Sequence, residues 1–241
     1  SVSDFFGRLI SIVIMLKDMP SVFRFWTFSL KKIALARRFV KFPKFELPAS
    51  LFNALSYESV YLIMPVLFGV MIAGLYFLVF RVLMAPAAVA GNAILEVFRN
   101  RAMDDVRKHG NCRPLFIKMM LLLLVLGVVP SLIIILFGQE IFLFVFGPLW
   151  VEAGVYAQIL MPMVFLRFVS SPLSYMFFIR EELKVDMALQ FFYLFMVIIS
   201  LLLGWYFSDS IVMTIFLSLS GCIFYLVQIV FSYKYSGYVK I

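Results

Sequence analysis

The chain has 241 residues, of which 64% are hydrophobic and 14% are charged, and its formal net charge is +8. Soluble domains average roughly 50% apolar and 25% charged residues, so this composition excludes an ordinary soluble domain. Apolar runs longer than about 18 residues, without ten-residue alternation, predict an all-α integral membrane protein and exclude an outer-membrane barrel. The two cysteines are too few for a disulfide framework.

The first part of the chain, residues 1–46, differs from the rest. The sequence opens on Ser1 inside an apolar segment, and residues 1–16 are expected to be the tail of a truncated transmembrane helix. We therefore interpret the chain as a fragment whose amino-terminal part is missing. Residues 17–46 are rich in Lys and Arg with aromatic residues between them, which is typical of a basic interfacial helix on anionic cytoplasmic membrane lipid. A solvated linker is the alternative interpretation.

Residues 47–241 are predicted to form a bundle of six transmembrane helices. The predicted spans are 47–70, 73–97, 115–137, 153–179, 185–207 and 211–231. A short turn around Met71 separates the first two, and Pro130 is expected to break the third. Residues 99–113 are predicted to be an inner loop, and residues 138–152 an outer connection whose apolar middle lies at the membrane interface.

The basic residues of this six-span arrangement fall on one side. The loops on that side hold nearly all Lys and Arg, and the loops on the other side hold none. This is the asymmetry of the positive-inside rule, so it predicts that both flanks of the six-helix unit are cytoplasmic. The charge therefore indicates topology and anionic lipid, and we expect no nucleic-acid partner.

Two arginines lie inside predicted spans, Arg81 and Arg167, and each stands five residues before a proline. A charged side chain at the bilayer centre costs about 2.5–3.5 kcal/mol on insertion scales, so such residues usually face a partner or a watery cavity. Guanidinium matches phosphate oxygens with two parallel hydrogen bonds. We therefore predict an anion cavity at Arg81 and Arg167. Packing, or neutralisation of Arg81 by Glu58, is the alternative.

Several further polar residues lie within the spans. Glu58 is a candidate for ion coupling or for a static counter-ion. Side-chain amides are candidates for lining a polar path, although hydrogen bonding between helices is the commoner role; they are Asn53, Asn92, Gln158, Gln190 and Gln228. There is no metal-ligand spacing, no phosphate-binding glycine loop and no Ser/His/Asp set, so we expect no metal, no cofactor and no enzymatic activity.

At these residues the sequence resembles a known group. The run PASLFNALSYESVYLIMPVLFGVMIAGLYFLVFRVLMAPAAVAGNAI is similar to the polysaccharide-export branch of the multidrug/oligosaccharidyl-lipid/polysaccharide flippase superfamily. The later run FGPLWVEAGVYAQILMPMVFLRFVSSPLSYMFF is similar to the FG-x-x-W-x-x-A-x-x-Y and L-x-P motifs of the same branch. The likeness covers residues 45–241.

The resemblance implies the carboxy-terminal lobe of a two-lobed transporter in the bacterial inner membrane, with the amino-terminal lobe missing from this chain. It implies that an undecaprenyl-pyrophosphate-linked oligosaccharide is flipped from the inner to the outer leaflet by alternating access. Such flipping supports assembly of O-antigen, lipopolysaccharide and other cell-surface polysaccharide. The cationic cavity of family members carries over to Arg81 and Arg167.

Three other functions compete with the flippase. A cation-coupled drug exporter of the same superfamily would use buried carboxylates, whereas the buried charge here is two arginines to one glutamate. A membrane polymerase or ligase of polysaccharide assembly would need catalytic residues in a sizeable outer loop, and the predicted outer loops are short. A non-transporting scaffold is a third alternative, which would leave both arginines with a packing role alone.

Overall fold

Helices make up nearly all of the chain that the computed structural model describes, residues 41–237. They are α1 (Lys41–His109), α2 (Arg113–Phe146), α3 (Val151–Leu173), α4 (Met176–Ile179), α5 (Leu183–Phe207) and α6 (Ser210–Ser236), with a 3-10 turn at Pro148–Trp150. No strand occurs between residues 41 and 237, so the all-α prediction is confirmed there. The predicted helix tail over residues 1–16, and the basic segment up to residue 40, lie outside the described residues.

The long helix α1 folds back on itself at Gly69. This residue has φ 84° and ψ 163°, a conformation that is essentially restricted to glycine. Tyr61 and Phe77, eight residues before and after it, stack with ring centroids 4.5 Å apart. In an unbroken helix these two residues would be about 24 Å apart, because the rise is 1.5 Å per residue. Hence α1 is a helical hairpin whose first arm is residues 41–68 and second arm residues 70–109.

The prediction of an inner loop over residues 99–113 is wrong for most of that range. The second arm of α1 remains helical to His109, and only residues 110–112 form the connection to α2. Gly110, with φ 68°, ends the helix and donates its amide to the carbonyl of Val106. The polarity of this charged run predicts a loop. However, Arg, Lys, Met and Ala are good helix formers, and nothing breaks the helix before Gly110.

The predicted outer connection over residues 138–152 is also largely helical. Helix α2 continues to Phe146 and ends at Gly147, which has φ 92°. Its irregular backbone lies at Phe137, with φ −123°, and not at Pro130, where a break was expected. The apolar run before Gly147 contains no helix breaker, so the helix extends past the length that one membrane crossing needs.

Helix α3 lies in the middle of the bundle. It packs against α2 on one side and α6 on another, and α5 packs on α6. One buried cluster joins Met64 and Val79 of α1 to Leu160 of α3 and Met213 of α6. A second cluster, nearer the end of the hairpin, includes Phe98, Phe116 and Leu173. These contacts pack α3 against both arms of α1.

Five helices in the described range are long and apolar enough to cross a membrane. Helix α2 carries an apolar outer surface. Side chains such as Val125 (70% exposed) and Leu136 (64% exposed) point away from the bundle. Exposed apolar surface of this kind is stable in lipid and costly in water. The protein is therefore a multi-pass, all-helical membrane protein.

Candidate functional site

Arg167 is held by tyrosine side chains from three other helices. Its guanidinium carbon lies 4.7 Å from the ring centroid of Tyr57, on the first arm of α1. The hydroxyl oxygens of Tyr57 and Tyr225 are 2.7 Å apart, and Arg167 also interacts with the Tyr225 hydroxyl. Next to them, Tyr193 of α5 stacks on Phe224 with centroids 4.5 Å apart. Arg167 is thus fixed by a tyrosine cage formed by Tyr57, Tyr193 and Tyr225.

Within the described part of the chain, no carboxylate lies within ion-pair distance of the Arg167 charge. Among residues 41–237, the ion pair found within 4.0 Å is the exposed one between Arg99 and Glu96, at 3.8 Å. Tyrosine rings and hydroxyls orient a guanidinium through the quadrupole of the ring and through hydrogen bonding, but they do not neutralise it. The cation therefore remains available to an anion.

Arg167 lines a cavity of about 290 Å³, which we name the arginine cavity. Its other walls are the second arm of α1 and the next turn of α3; they are Met84, Ala87, Ala88, Gly91, Asn92, Phe168 and Ser171. The wall residues on α1 include two alanines and a glycine, whose small side chains leave space; an added Cβ on Gly91 would make only an ordinary 3.9 Å contact with Pro172. The polar groups that face this space are a guanidinium, an amide and a hydroxyl, all of which can donate hydrogen bonds.

Arg81 and Glu58 lie elsewhere. Both are exposed, on opposite arms of the α1 hairpin, and neither lines the arginine cavity. Tyr61 lies within electrostatic reach of both charges. No ion pair within 4.0 Å joins Arg81 to Glu58 in the part of the chain that the structure describes. The structure therefore does not place the two predicted arginines in one cavity, and it does not pair Arg81 with Glu58.

A second cavity of about 270 Å³ is lined by residues from four helices and the turn after α3, and we name it the polar cavity. Its walls are Glu46, Ala49, Ser50, Asn53, Ser174, Phe178, Asp186, Gln190 and Gln228. The amide of Asn53 donates to Oε1 of Gln190 at 2.9 Å, and the hydroxyl of Ser170 donates to Oε1 of Gln228 at 2.6 Å. The candidates Asn53 and Gln190 are thus brought together, whereas Asn92 lies in the arginine cavity.

Sequence reasoning missed both carboxylates of the polar cavity, Glu46 and Asp186. They stand at the ends of predicted spans, where charged residues are ordinarily exposed, so their positions do not predict that they line a cavity. The sequence does contain a signal for this site, because Asp186 and Gln190 are four residues apart and share one face of α5.

The candidate Gln158 lines neither cavity. It donates to the carbonyl of Ile135 at 3.0 Å and so joins α3 to α2 next to the irregular backbone of Phe137.

The end of α3 and the residues that follow it lie next to both cavities. Arg167 and Ser171 of α3 line the arginine cavity, and Ser174 in the turn after α3 and Phe178 of α4 line the polar cavity. One short stretch of chain therefore borders a cavity that holds a cation and a cavity that holds carboxylates with amides.

The fold and the two cavities define the class of the protein, a multi-pass α-helical membrane protein with a partly enclosed cation and an adjacent polar cavity. Comparison with known proteins found no matching family model, no matching curated protein and no matching solved structure.

Proposed function

We propose that this chain is the carboxy-terminal lobe of a bacterial inner-membrane flippase. Its substrate would be an undecaprenyl-pyrophosphate-linked oligosaccharide, moved from the inner to the outer leaflet by alternating access. The observation that carries this proposal is the position of Arg167, a cation that has no carboxylate partner among residues 41–237 and that lines a cavity within the membrane-spanning part of the chain. Its partners would be the lipid-linked substrate, the amino-terminal lobe of the same transporter and anionic lipid.

The chemistry of the arginine cavity supports an anionic substrate. A pyrophosphate loses its hydration on entering hydrocarbon, and this cost is offset only by groups that replace the lost hydrogen bonds and charge. Arg167 supplies a planar cation with several donors, and Asn92 and Ser171 supply two further donor groups. The tyrosine cage holds the guanidinium in place before the substrate arrives, so little side-chain entropy is lost on binding.

The topology supports a six-span lobe. The α1 hairpin contributes two arms that are each longer than the roughly 20 residues of one crossing, and α2, α3, α5 and α6 contribute one crossing each. Basic residues collect where α1 ends and α2 begins; they are Arg99, Arg101, Arg107, Lys108 and Arg113. The connections at Gly147 and Asp209 hold no Lys or Arg. By the positive-inside rule the basic end is cytoplasmic.

A cation-coupled drug exporter is the second candidate, and the polar cavity is the observation that favours it. Glu46 and Asp186 line one space of about 270 Å³, and buried carboxylates are the groups that bind cationic drugs. In that case the arginine cavity would have no role in substrate binding. The two candidates therefore differ in which cavity transport requires.

The decisive experiment is depletion of the full-length protein in its native host, followed by complementation. We expect lipid-linked oligosaccharide to accumulate on the cytoplasmic leaflet, and wild type and Arg99→Ala to relieve the accumulation. We expect Arg167→Ala, at equal expression, to relieve it at least about tenfold less, because one charge-assisted hydrogen-bonding group is lost. Arg81→Ala tests the other predicted arginine in parallel.

The alternatives give different results in this assay. If depletion causes no accumulation, the flippase proposal fails and drug resistance becomes the function to measure. If accumulation occurs and Arg167→Ala relieves it fully, the substrate class stands while the arginine cavity is not its binding site.

A further inference from the structure

The hydrogen bonds of the polar cavity leave one donor group and one acceptor free to bind an occupant. Asn53 donates to Gln190, which interacts in turn with Asp186, and Ser170 donates to Oε1 of Gln228. Because Oε1 of Gln228 is taken by Ser170, this cavity-lining side chain offers its Nε2 hydrogens to an occupant. Oε2 of Glu46 is enclosed and has no hydrogen-bond partner among the described residues. One cavity therefore presents an amide donor and an unsatisfied carboxylate acceptor.

This combination selects the chemistry of the occupant. A bare cation would satisfy Glu46 and Asp186 but would face the amide hydrogens of Gln228. A phosphate would accept from Gln228 but would be repelled by both carboxylates. A hydroxyl group both donates and accepts, so a polyhydroxylated ring can bind Nε2 of Gln228 and Oε2 of Glu46 at once. An unsatisfied buried polar atom such as Oε2 of Glu46 is rare in proteins and calls for such a partner.

The size of the cavity limits the occupant to a small one. Its volume of about 270 Å³ lies just below the roughly 300–1,000 Å³ of pockets for drug-sized ligands. Phe178 adds one aromatic side chain to the wall. An apolar ring face together with a few placed polar groups is the usual composition of a pocket for a small organic ligand. A single sugar ring fits this description better than a longer glycan.

The polar cavity lies close enough to the arginine cavity for one substrate to reach both. Ser174, in the wall of the polar cavity, is seven residues beyond Arg167, which corresponds to about 10 Å along a helix. A sugar joined directly to a pyrophosphate at Arg167 would therefore lie close enough to reach the polar cavity past the end of α3.

We propose that the polar cavity binds the sugar ring nearest to the pyrophosphate and selects a neutral or amino sugar over an acidic one. This inference rests on the proposed flippase function and adds the substrate class of the first sugar. Gln228 and Glu46 bind ring hydroxyls, and the carboxylates of Glu46 and Asp186 repel a uronic acid. Selectivity then comes from an unfavourable charge contact as well as from favourable hydrogen bonds.

The test uses the purified full-length transporter in detergent and three short-chain polyprenyl pyrophosphates. One carries no sugar, one carries N-acetylglucosamine and one carries glucuronic acid. We expect wild type to bind the N-acetylglucosamine ligand at least about tenfold more tightly than the glucuronic acid ligand. Asp186→Asn and Glu46→Gln keep the side-chain shape and should reduce this ratio to about threefold or less, mainly by improving binding of the acidic ligand.

Two matched variants separate the sugar contact from the pyrophosphate contact. Gln228→Met should weaken binding of the N-acetylglucosamine ligand about tenfold and leave the sugar-free ligand unchanged. Arg167→Ala should weaken all three ligands to a similar extent. Gel-filtration profiles and melting temperatures within a few degrees of wild type establish that each variant is folded, and the conservative Asp186→Asn substitution is the one least expected to affect folding.

The outcomes separate the two proposals. If the sugar-free ligand binds in a manner that depends on Arg167, and Asp186→Asn and Glu46→Gln leave the sugar preference unchanged, the sugar inference is overturned and the flippase remains. If Asp186→Asn instead abolishes binding of a monovalent cation without changing that preference, the cavity is a cation site. If wild type binds none of the three pyrophosphates, the proposed function fails, and the inference fails with it.

Discussion

The guanidinium of Arg167 and the ring of Tyr57 form a cation–π contact of 4.7 Å between α3 and the first arm of α1. Such a contact contributes about 0.5–2 kcal/mol when it is partly desolvated, and it fixes the plane of the guanidinium. The contact joins the hairpin of α1 to the central helix at the edge of the arginine cavity. It therefore links the orientation of the cation to the packing of the two helices.

Replacing Arg167 by Lys should weaken anion binding while the positive charge is kept. A lysine lacks the planar fork that binds two phosphate oxygens, and its compact ammonium is more strongly hydrated. We expect binding of a short-chain polyprenyl pyrophosphate, measured by calorimetry, to weaken about 10–100-fold, the range given by one charge-assisted hydrogen bond. Tyr57→Phe is the matched control, since it keeps the ring under the guanidinium and should stay within about fivefold of wild type. Unchanged binding by Arg167→Lys would contradict the anion site.

Arg180 should be the main stabilising residue where the helix ends meet. Its guanidinium donates to the carbonyls of Tyr235 at 3.0 Å and of Gly110 and Gly237 at 2.8 Å, so one side chain joins the ends of α1 and α6. Removing it leaves three carbonyls without this donor, and hydrogen bonds to charged groups contribute about 1.5–3 kcal/mol each in favourable cases. We expect Arg180→Ala to lower the free energy of unfolding by about 2–4 kcal/mol, measured by denaturation in detergent.

The control for Arg180 is Arg99→Ala. Arg99 forms a 3.8 Å ion pair with Glu96 in which the two side chains are 44% and 64% exposed. Exposed pairs contribute about 0–1 kcal/mol, so this variant should unfold within about 1 kcal/mol of wild type. Equal losses in the two variants would mean that loss of positive charge, and not loss of the three hydrogen bonds, sets the stability.

Gly154 should not tolerate alanine, because it lies where α3 packs against the backbone of α2. An added Cβ would stand 2.5 Å from Cα of Gln139 and 2.7 Å from the carbonyl oxygen of Gly138, and backbone atoms cannot move aside like a flexible side chain. We expect Gly154→Ala to lower the unfolding free energy by about 1–3 kcal/mol.

Gly74→Ala is the matched control for Gly154. An added Cβ there meets no atom within 4 Å, and the residue lies within the second arm of α1. Alanine is the better helix former by up to about 1 kcal/mol, so this variant should be neutral or more stable. A stability loss at Gly74 as large as that at Gly154 would show that close packing of α2 against α3 is not the cause.

Cys112 should react slowly with thiol reagents until the pH is high. Its side chain is fully buried at the start of α2, and this burial raises the pKa of the thiol from its ordinary value of 9.0 to about 11, although Arg180 acts in the opposite direction. At neutral pH the reactive thiolate is then about 100-fold scarcer than for an ordinary cysteine. The neutral thiol contributes its full stability below pH 9, and this contribution is lost as the pH rises toward 11.

The measurement is the rate of N-ethylmaleimide labelling by mass spectrometry in a Cys222→Ala background, so that Cys112 is the thiol observed. We expect labelling at pH 7 to be at least about 100-fold slower in the folded protein than in the same protein unfolded in dodecyl sulfate. Equal rates in the two states would show that Cys112 is accessible and that its pKa is not raised.

The sequence by itself determined the class of this protein and most of its helices. Hydropathy is a local property of the chain, so the apolar runs of α2, α5 and α6 could be read without knowledge of their neighbours. Polarity predicts a loop for the charged run before Gly110, and shortness predicts an interfacial connection for the apolar run before Gly147, but both runs are helical. Helix ends instead followed the left-handed glycines, Gly110 and Gly147, where the backbone conformation disfavours other residues.

Only the tertiary structure decided which polar residues share a cavity. The two predicted arginines were equivalent by position in the sequence, yet Arg167 is held by the tyrosine cage while Arg81 stands exposed on the hairpin. The polar cavity likewise joins residues from Glu46 to Gln228, nearly the whole described length of the chain. A pairing of this kind depends on how helices rotate and pack against one another, and those rotations are set by close contacts such as that of Gly154 with α2, which no local pattern encodes.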